Sequence, residues 1–264
     1  MNFGLLIVGD EILSGKRQDK HLPKVIELLS ARGLALAWAR YVGDDRERIT
    51  AALREAFAGD DIVFSCGGIG ATPDDHTRQC AAAALDRPLK LHEGAKALIL
   101  ERMQDLAREQ GWPYEPDRED NVHRLNMGVF PEGAELIPNP YNKIAGFSVR
   151  NVFFVPGFPV MAHPMIEWVL DQHFAHLHGA DRLAEHGVIV FGAMEAALTP
   201  LMETVEAQHP GVKVYSLPSV DHPQWGRHIE LGVKGSPTLV PAAFVTLLEG
   251  LHARNVQLGP EVVR

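Results

Sequence analysis

The chain reads as an α/β protein, a mostly parallel sheet covered by helices, followed by a small α+β module. Three observations predict this. Short apolar runs at Phe3 to Val8, Leu34 to Val42 and Asp61 to Cys66 alternate with helical patterns over the first third of the chain. Continuous apolar runs suit strands buried on both faces, and strict strand–helix alternation is how βαβ units are written. A polar, histidine-rich stretch from His176 to His186 then divides residues 1–178 from 179–264, and a βαββα order follows it.

Each element has a local reason. Phe3 to Val8 is the first strand; Leu22, Val25, Ile26 and Leu29 recur at helical spacing, with Gly33 as the stop. After the second strand, Asp44 is the expected cap of a helix carrying Ile49, Leu53 and Phe57 on one side. The third strand empties into glycines, and the alanine-rich stretch Thr77 to Leu85 is the next helix. A longer helix follows, with Ala95, Leu98, Ile99, Met103 and Leu106 as its inner face, and Gly111 to Asn121 reads as a loop or lid. Extended segments resume at Met127 to Phe130, Leu136 to Ile137, Phe147 to Val149 and Val152 to Val155, and a helix is expected from Pro164 to Phe174. In the second module, strands are expected at Val188 to Phe191, Val212 to Leu217 and His228 to Val233, with helices at Thr199 to Gln208 and Pro241 to His252.

Composition narrows the function classes. Across 264 residues, 46% are hydrophobic and 22% charged, as in ordinary globular proteins, and the formal net charge is -9. That charge disfavours non-specific nucleic-acid binding. No run reaches membrane-spanning length, the N-terminus lacks the basic region of a signal peptide, and the two cysteines, Cys66 and Cys80, make no disulfide framework. A cytoplasmic protein without membrane contact is the expectation. The histidines show neither His-Glu-x-x-His nor Cys-x-x-Cys spacing, so no structural zinc site is expected.

The most informative segment is Cys66-Gly67-Gly68-Ile69-Gly70-Ala71-Thr72-Pro73-Asp74-Asp75-His76-Thr77. Glycines after a strand let the backbone approach a ligand and turn N–H groups toward anionic oxygens. Asp74 and Asp75 stand at a helix start, where hard oxygen ligands suit a divalent cation and phosphate oxygens. Read conservatively, the same residues make a tight turn and a helix cap, and the aspartate pair brings the two readings level. The segment is neither a P-loop nor a Gly-x-Gly-x-x-Gly fingerprint.

In an open α/β sheet, ligands sit beyond the carboxyl ends of the strands. Gly9 to Gly15, the glycine loop and Pro156-Gly157-Phe158-Pro159 should meet at that rim. Asp10 and Glu11 read either as further metal-side carboxylates or as a capped turn; Ser14 as a phosphate donor or turn chemistry. His76 reads as a solvent-facing helix residue before it reads as an acid–base group.

Together, Gly9-Asp10-Glu11-Ile12-Leu13-Ser14-Gly15, the glycine segment and Pro156-Gly157-Phe158-Pro159 resemble the signature segments of the CinA-type (competence/damage-inducible protein A) branch of the MoaB/MogA-like molybdopterin-binding superfamily. The resemblance implies a three-layer α/β/α domain over residues 1–178 and a small KH-type module over 179–264. It implies a phosphorylated small-molecule ligand, a nucleotide or molybdopterin, and assembly as a homo-oligomer. By that resemblance, Gly67, Gly68, Ile69, Gly70 and Thr72 cradle phosphate, and Asp75 with Asp74 serves magnesium- or cobalt-dependent chemistry, with Asp10 and Glu11 as further metal candidates. Asn142, Lys143, Gly146, Pro156 and Gly157 add ligand contacts.

For the CinA branch, the implied reaction is divalent-metal-dependent hydrolysis of an ADP-ribose-like nucleotide pyrophosphate. A non-catalytic binding protein and an adenylyltransferase of molybdenum-cofactor assembly are the alternatives. Asn142 and Lys143 stand where many members carry Gly-Thr, Ala145 replaces a usual proline and Cys66 a common threonine. These departures bear on substrate identity more than on fold. The amidase domain of full-length CinA proteins is not expected in a chain of 264 residues. Gly232-Val233-Lys234-Gly235 spells the Gly-x-x-Gly of KH modules, but at a strand end and among residues where acids outnumber bases. A scaffold role is expected there instead of RNA binding.

Overall fold

Apolar runs and turn residues place the strands of the first unit, and the helices fill the intervals. The computed structural model describes residues 2–179 and 183–264; residues 180–182, within the His176–His186 boundary stretch, lie outside the described residues. In chain order the first unit contains β1 (Phe3–Val8), α1 (Asp10–Leu13), α2 (His21–Ser30), β2 (Leu36–Val42), α3 (Arg46–Ala58), β3 (Ile62–Cys66) and α4 (Thr77–Leu85). It continues with β4 (Leu89–Leu91), α5 (Glu93–Gln110), α6 (Glu119–Arg124), β5 (Val129–Pro131), β6 (Glu135–Ile137), β7 (Gly146–Val149), β8 (Val152–Val155) and α7 (Pro159–His173). The chain divides into two compact units, residues 1–178 and 179–264.

The main sheet has six strands in the order β2-β1-β3-β8-β7-β6. Strands β2, β1, β3 and β8 run parallel, and β7 and β6 add antiparallel pairs at one edge. Because side chains alternate across a strand, β1 feeds two cores. Phe3, Leu5 and Ile7 pack with α2 and α7 through Val25, Leu29, Ile166 and Val169, whereas Leu6 and Val8 pack with α3 and α4 through Ile49, Leu53 and Ala81. That is a three-layer α/β/α arrangement. In the second core Phe130, Phe147 and Phe154 stack, with centroids 4.6 and 4.3 Å apart. Strands β4 and β5 pair separately as a two-stranded sheet.

Several boundaries differ from expectation. Asp45, not Asp44, caps α3, its carboxylate accepting from the Arg48 N–H at 2.8 Å. Helix α7 begins at Pro159 instead of Pro164, because proline at the first helical position needs no N–H partner and is preset in φ. The Gly111–Asn121 stretch ends in helix α6, and Leu89–Leu91 forms a strand the apolar pattern had not marked.

The second unit contains β9 (Ala184–Phe191), α8 (Glu195–Gln208), β10 (Lys213–His222), β11 (Gly226–Gly235), α9 (Val240–His252) and β12 (Gln257–Val263). Its four strands form an antiparallel sheet ordered β10-β11-β9-β12. Val188, Val190, Ile229, Leu231 and Val233 meet Leu198, Leu201, Val205, Phe244 and Leu247 from the two helices in one core. Strand β12 extends the expected βαββα to βαββαβ, the split-βαβ order. Gly232 and Gly235 lie inside β11, paired with β10 or β9, and not between helices where KH modules clamp nucleic acid.

Candidate functional site

Strand order reverses around β1, with β2 on one side and β3 on the other, so the loops leaving β1 and β3 flank a topological switch point. A cavity of about 730 Å³ opens there. The sequence predicts its glycine rim, and the structure lines it with Gly67, Gly68, Ile69, Gly70, Thr72, Asp74 and Asp75, together with Glu11, Asn142, Pro156 and Gly157. The volume is that of a small-molecule site.

Glycine chemistry explains the rim. Gly67 and Gly68 have φ of 105° and 68°, where side chains are strained. A Cβ on Gly67 would stand 2.2 Å from the Val8 carbonyl oxygen, and one on Gly68 would stand 2.1 Å from Thr77 Oγ1. The Gly67 N–H donates to the Val155 carbonyl at 3.0 Å, and the Thr77 N–H to the Gly68 carbonyl at 2.9 Å, which seats the loop between β8 and α4. Thr77 Oγ1 is buried beneath the loop without a hydrogen-bond partner.

Asp75 is engaged within its own turn. Its Oδ2 accepts from the Thr72 N–H at 2.8 Å and the Thr72 hydroxyl at 2.6 Å. Behind the loop, the buried Arg78 donates Nη2 to the Gly70 carbonyl at 2.6 Å and Nη1 to the Asn126 carbonyl. Burial works against the Arg78 charge, and the nearby Asp75 carboxylate supports it. Asp75 is therefore a structural anchor as well as a rim residue, and Arg78 is a component the sequence reading missed. Asp74 is exposed beside it.

Asp10 begins α1 and does not line the cavity. It exchanges hydrogen bonds with Asp44: the Asp10 N–H donates to Asp44 Oδ2 at 2.9 Å and the Asp44 N–H to Asp10 Oδ1 at 3.2 Å. Asp44, which faces the cavity, has its carboxyl pushed above the usual range by partial burial, helped by the like charges of Asp10, Glu11 and Asp74. Among the described residues no group of three or more His, Cys, Asp or Glu side chains is arranged to hold a metal ion. The donor set is nonetheless the hard-oxygen type that suits magnesium with several waters retained. Asp44 and Asp74 would be the protein's share of such a shell.

Other expected contacts fall elsewhere. Ser14 is exposed at the end of α1, its N–H given to the Asp10 carbonyl at 2.8 Å. Gly146 is buried in β7 against the Phe154 carbonyl and Met165. His76 precedes α4 and does not line the cavity. Lys143, at φ 64°, turns its Nζ to Glu101 at 2.6 Å and Asp105 at 2.5 Å on α5, which raises its pKa through those carboxylates. It ties the Asn139–Gly146 loop to α5 and is not a free charge at the rim.

The cationic lining comes instead from Arg17, Arg102 and Arg124. Ile99, Arg102, Met103 and Leu106 recur at helical spacing along one face of α5, and all line the cavity. The sequence pattern marked Ile99, Met103 and Leu106 as a core face; a guanidinium within such a face is the signal that it borders a ligand space. Arg17 and Arg124 make no side-chain ion pair or hydrogen bond among the described residues. Tyr141, Phe158 and Met161 complete the apolar wall.

A fold with this switch point, glycine rim and Asn139–Gly146 loop defines a ligand-binding α/β domain. The family model described as a probable molybdopterin binding domain matches residues 4–176, so the chain belongs to the molybdopterin-binding-domain family. Within that family, the relatives it matches include CinA-like proteins. It is 34% identical over 222 residues to a CinA-like protein of Anaeromyxobacter dehalogenans, covering 81% of this chain and 51% of that protein. It is 31% identical over 225 residues to a CinA-like protein of Geobacter metallireducens, covering 81% and 51%. The chain thus spans about half the length of the curated relatives it matches. Among solved structures, CinA of unknown function from Thermoplasma acidophilum aligns with TM-score 0.53 and 27% identity, over 64% of this chain and 96% of that one.

Proposed function

We propose that the chain binds a phosphorylated heterocyclic small molecule, a nucleotide or molybdopterin, at the cavity beyond β1, β3 and β8. The observation that carries this reading is the convergence of the Gly9, Gly67–Gly70 and Pro156–Gly157 segments on one cavity of about 730 Å³. Rim N–H groups suit phosphate oxygens, and Arg102 and Arg124 suit further anionic or planar groups. Met103, Met127 and Met161 suit an aromatic ring through polarizable sulfur. Binding fits the geometry better than hydrolysis, because Thr72 engages Asp75 within its own turn, and Glu101 and Asp105 engage Lys143.

One observation favours the second reading, a divalent-metal-dependent pyrophosphatase acting on an ADP-ribose-like substrate. Asp10, Glu11 and Asp74 add like charge beside the half-buried Asp44, and a magnesium or cobalt ion held by Asp44 and Asp74 would supply charge neutralisation at a diphosphate. The chain's own contribution to that reading is to hold the diphosphate against the rim N–H groups. Thermal-shift screening of the full chain against AMP, ADP-ribose, FAD and pterins, with and without magnesium or cobalt, tests both. Stabilisation by an intact ligand with no product by mass spectrometry supports binding alone, AMP release supports the pyrophosphatase, and no stabilisation by any phosphorylated compound rejects the site. An ATP requirement with a pterin acceptor would indicate adenylyl transfer.

A further inference from the structure

Two histidines meet between α2 and α7. His21 opens α2 with 4% exposure, and His163 lies on α7; their rings are edge-on at 90°, with centroids 5.3 Å apart. His21 Nε2 contacts the Gly157 carbonyl at 3.1 Å, so it is the donor and carries the ring proton, leaving the lone pair on Nδ1. That Nδ1 is buried and has no partner, and neither does His163 Nε2. Buried polar atoms without partners are rare and call for an explanation. Two of them, on neighbouring imidazoles, share one here.

A histidine that ligates a metal typically donates its other ring N–H to a backbone carbonyl, as His21 does to Gly157. With metal–nitrogen distances of about 2.0–2.1 Å, two imidazoles on one tetrahedral ion have ring centroids about 5 Å apart. The observed separation matches. Burial depresses the pKa of both rings, most directly by desolvation, and holds them in the neutral, ligating form. Other groups felt by the pair are Lys24, which opposes charge on His163, the Lys20 backbone, whose hydrogen bond to the His163 ring favours it, and Asp19, which favours it on both rings. Asp19 is fixed by the His21 and Leu22 N–H groups and the Tyr41 hydroxyl at 2.7, 3.1 and 2.8 Å.

We propose that His21 Nδ1 and His163 Nε2 bind a single borderline transition-metal ion, zinc or cobalt in class, between α2 and α7. Imidazole nitrogens select such ions over magnesium, so this site is chemically distinct from the carboxylate rim. With two protein ligands it binds more weakly than a closed four-ligand zinc site, and water completes the shell. Its structural consequence reaches the cavity, because the ring that would hold the ion also holds Gly157.

The test uses the full chain stripped with a chelator and titrated with zinc and, separately, cobalt, read by calorimetry and by the visible absorption of four-coordinate cobalt. One equivalent with a four-coordinate cobalt spectrum is expected, weakened by more than about tenfold in His163→Ala and in His21→Ala. His176→Ala, at an exposed histidine that does not line the cavity, is expected to leave it unchanged. Unchanged affinity in His163→Ala, loss in a folded His176→Ala, or absence of the cobalt spectrum would overturn the assignment. Because His21 supports Gly157, a misfolded His21→Ala leaves the decision to His163→Ala, whose folding is checked by circular dichroism.

Discussion

At the scale of single residues, the rim depends on atoms that glycine lacks. Gly68→Ala sets a methyl group against Thr77 Oγ1 at a φ of 68°. The substitution is expected to cost on the order of 1–3 kcal/mol and to abolish ligand-induced thermal shift. Urea denaturation read beside the ligand screen checks both halves. Asp44 behaves differently. Its folded-state pKa is raised above the unfolded value of about 3.9, so at neutral pH its charge is a net cost, relieved as pH falls through the folded value. Asp44→Asn is therefore expected to raise the melting temperature of the unliganded protein at pH 7, and the gain should fade toward pH 4. Destabilisation by Asp44→Asn at neutral pH would show that the carboxylate is offset by partners and not crowded.

At the scale of elements, α5 is one wall of the cavity. One face supplies Ile99, Arg102, Met103 and Leu106 to the cavity, while Glu101 and Asp105 hold Lys143. Lys143→Met should weaken ligand binding several-fold and speed hydrogen exchange in residues 139–146, with little change in the urea midpoint. Equal exchange in both proteins would show that the ion pairs do not hold the loop. The same element explains what the sequence discloses. Strands β1, β3 and β8 are legible as buried apolar runs, and the glycine rim as a motif, because both are local patterns. The cationic wall is not, since Arg102 sits among core-like residues and becomes cavity lining only through tertiary packing. Asp44 looked like a helix cap one residue early; Asp45 makes the bond, which frees Asp44 for the rim. The His21–His163 pair was invisible for the same reason, its members meeting only when α2 packs on α7. Strand β12 escaped notice because Gly259 and Pro260 interrupt its alternation.

At the scale of the molecule, the chain consists of two units with separate cores. Every residue lining the cavity belongs to residues 1–178. A fragment of residues 1–178 is therefore expected to keep the ligand-induced thermal shift of the full chain, with affinity within about threefold by calorimetry. Loss of binding in a folded fragment would assign the second unit a part in the site. Among the described residues no helix is long and apolar enough to cross a membrane.

The closeness of Gly157 to Gly67, where an added Cβ would lie 3.5 Å from the opposing Cα, has a consequence for redesign. Gly67 and Gly157 follow the neighbouring parallel strands β3 and β8, whose spacing of about 4.8 Å side-chain choice does not alter. Engineering for bulkier guests should leave that glycine contact alone and carve room from the side chains of α5 or the Asn139–Gly146 loop.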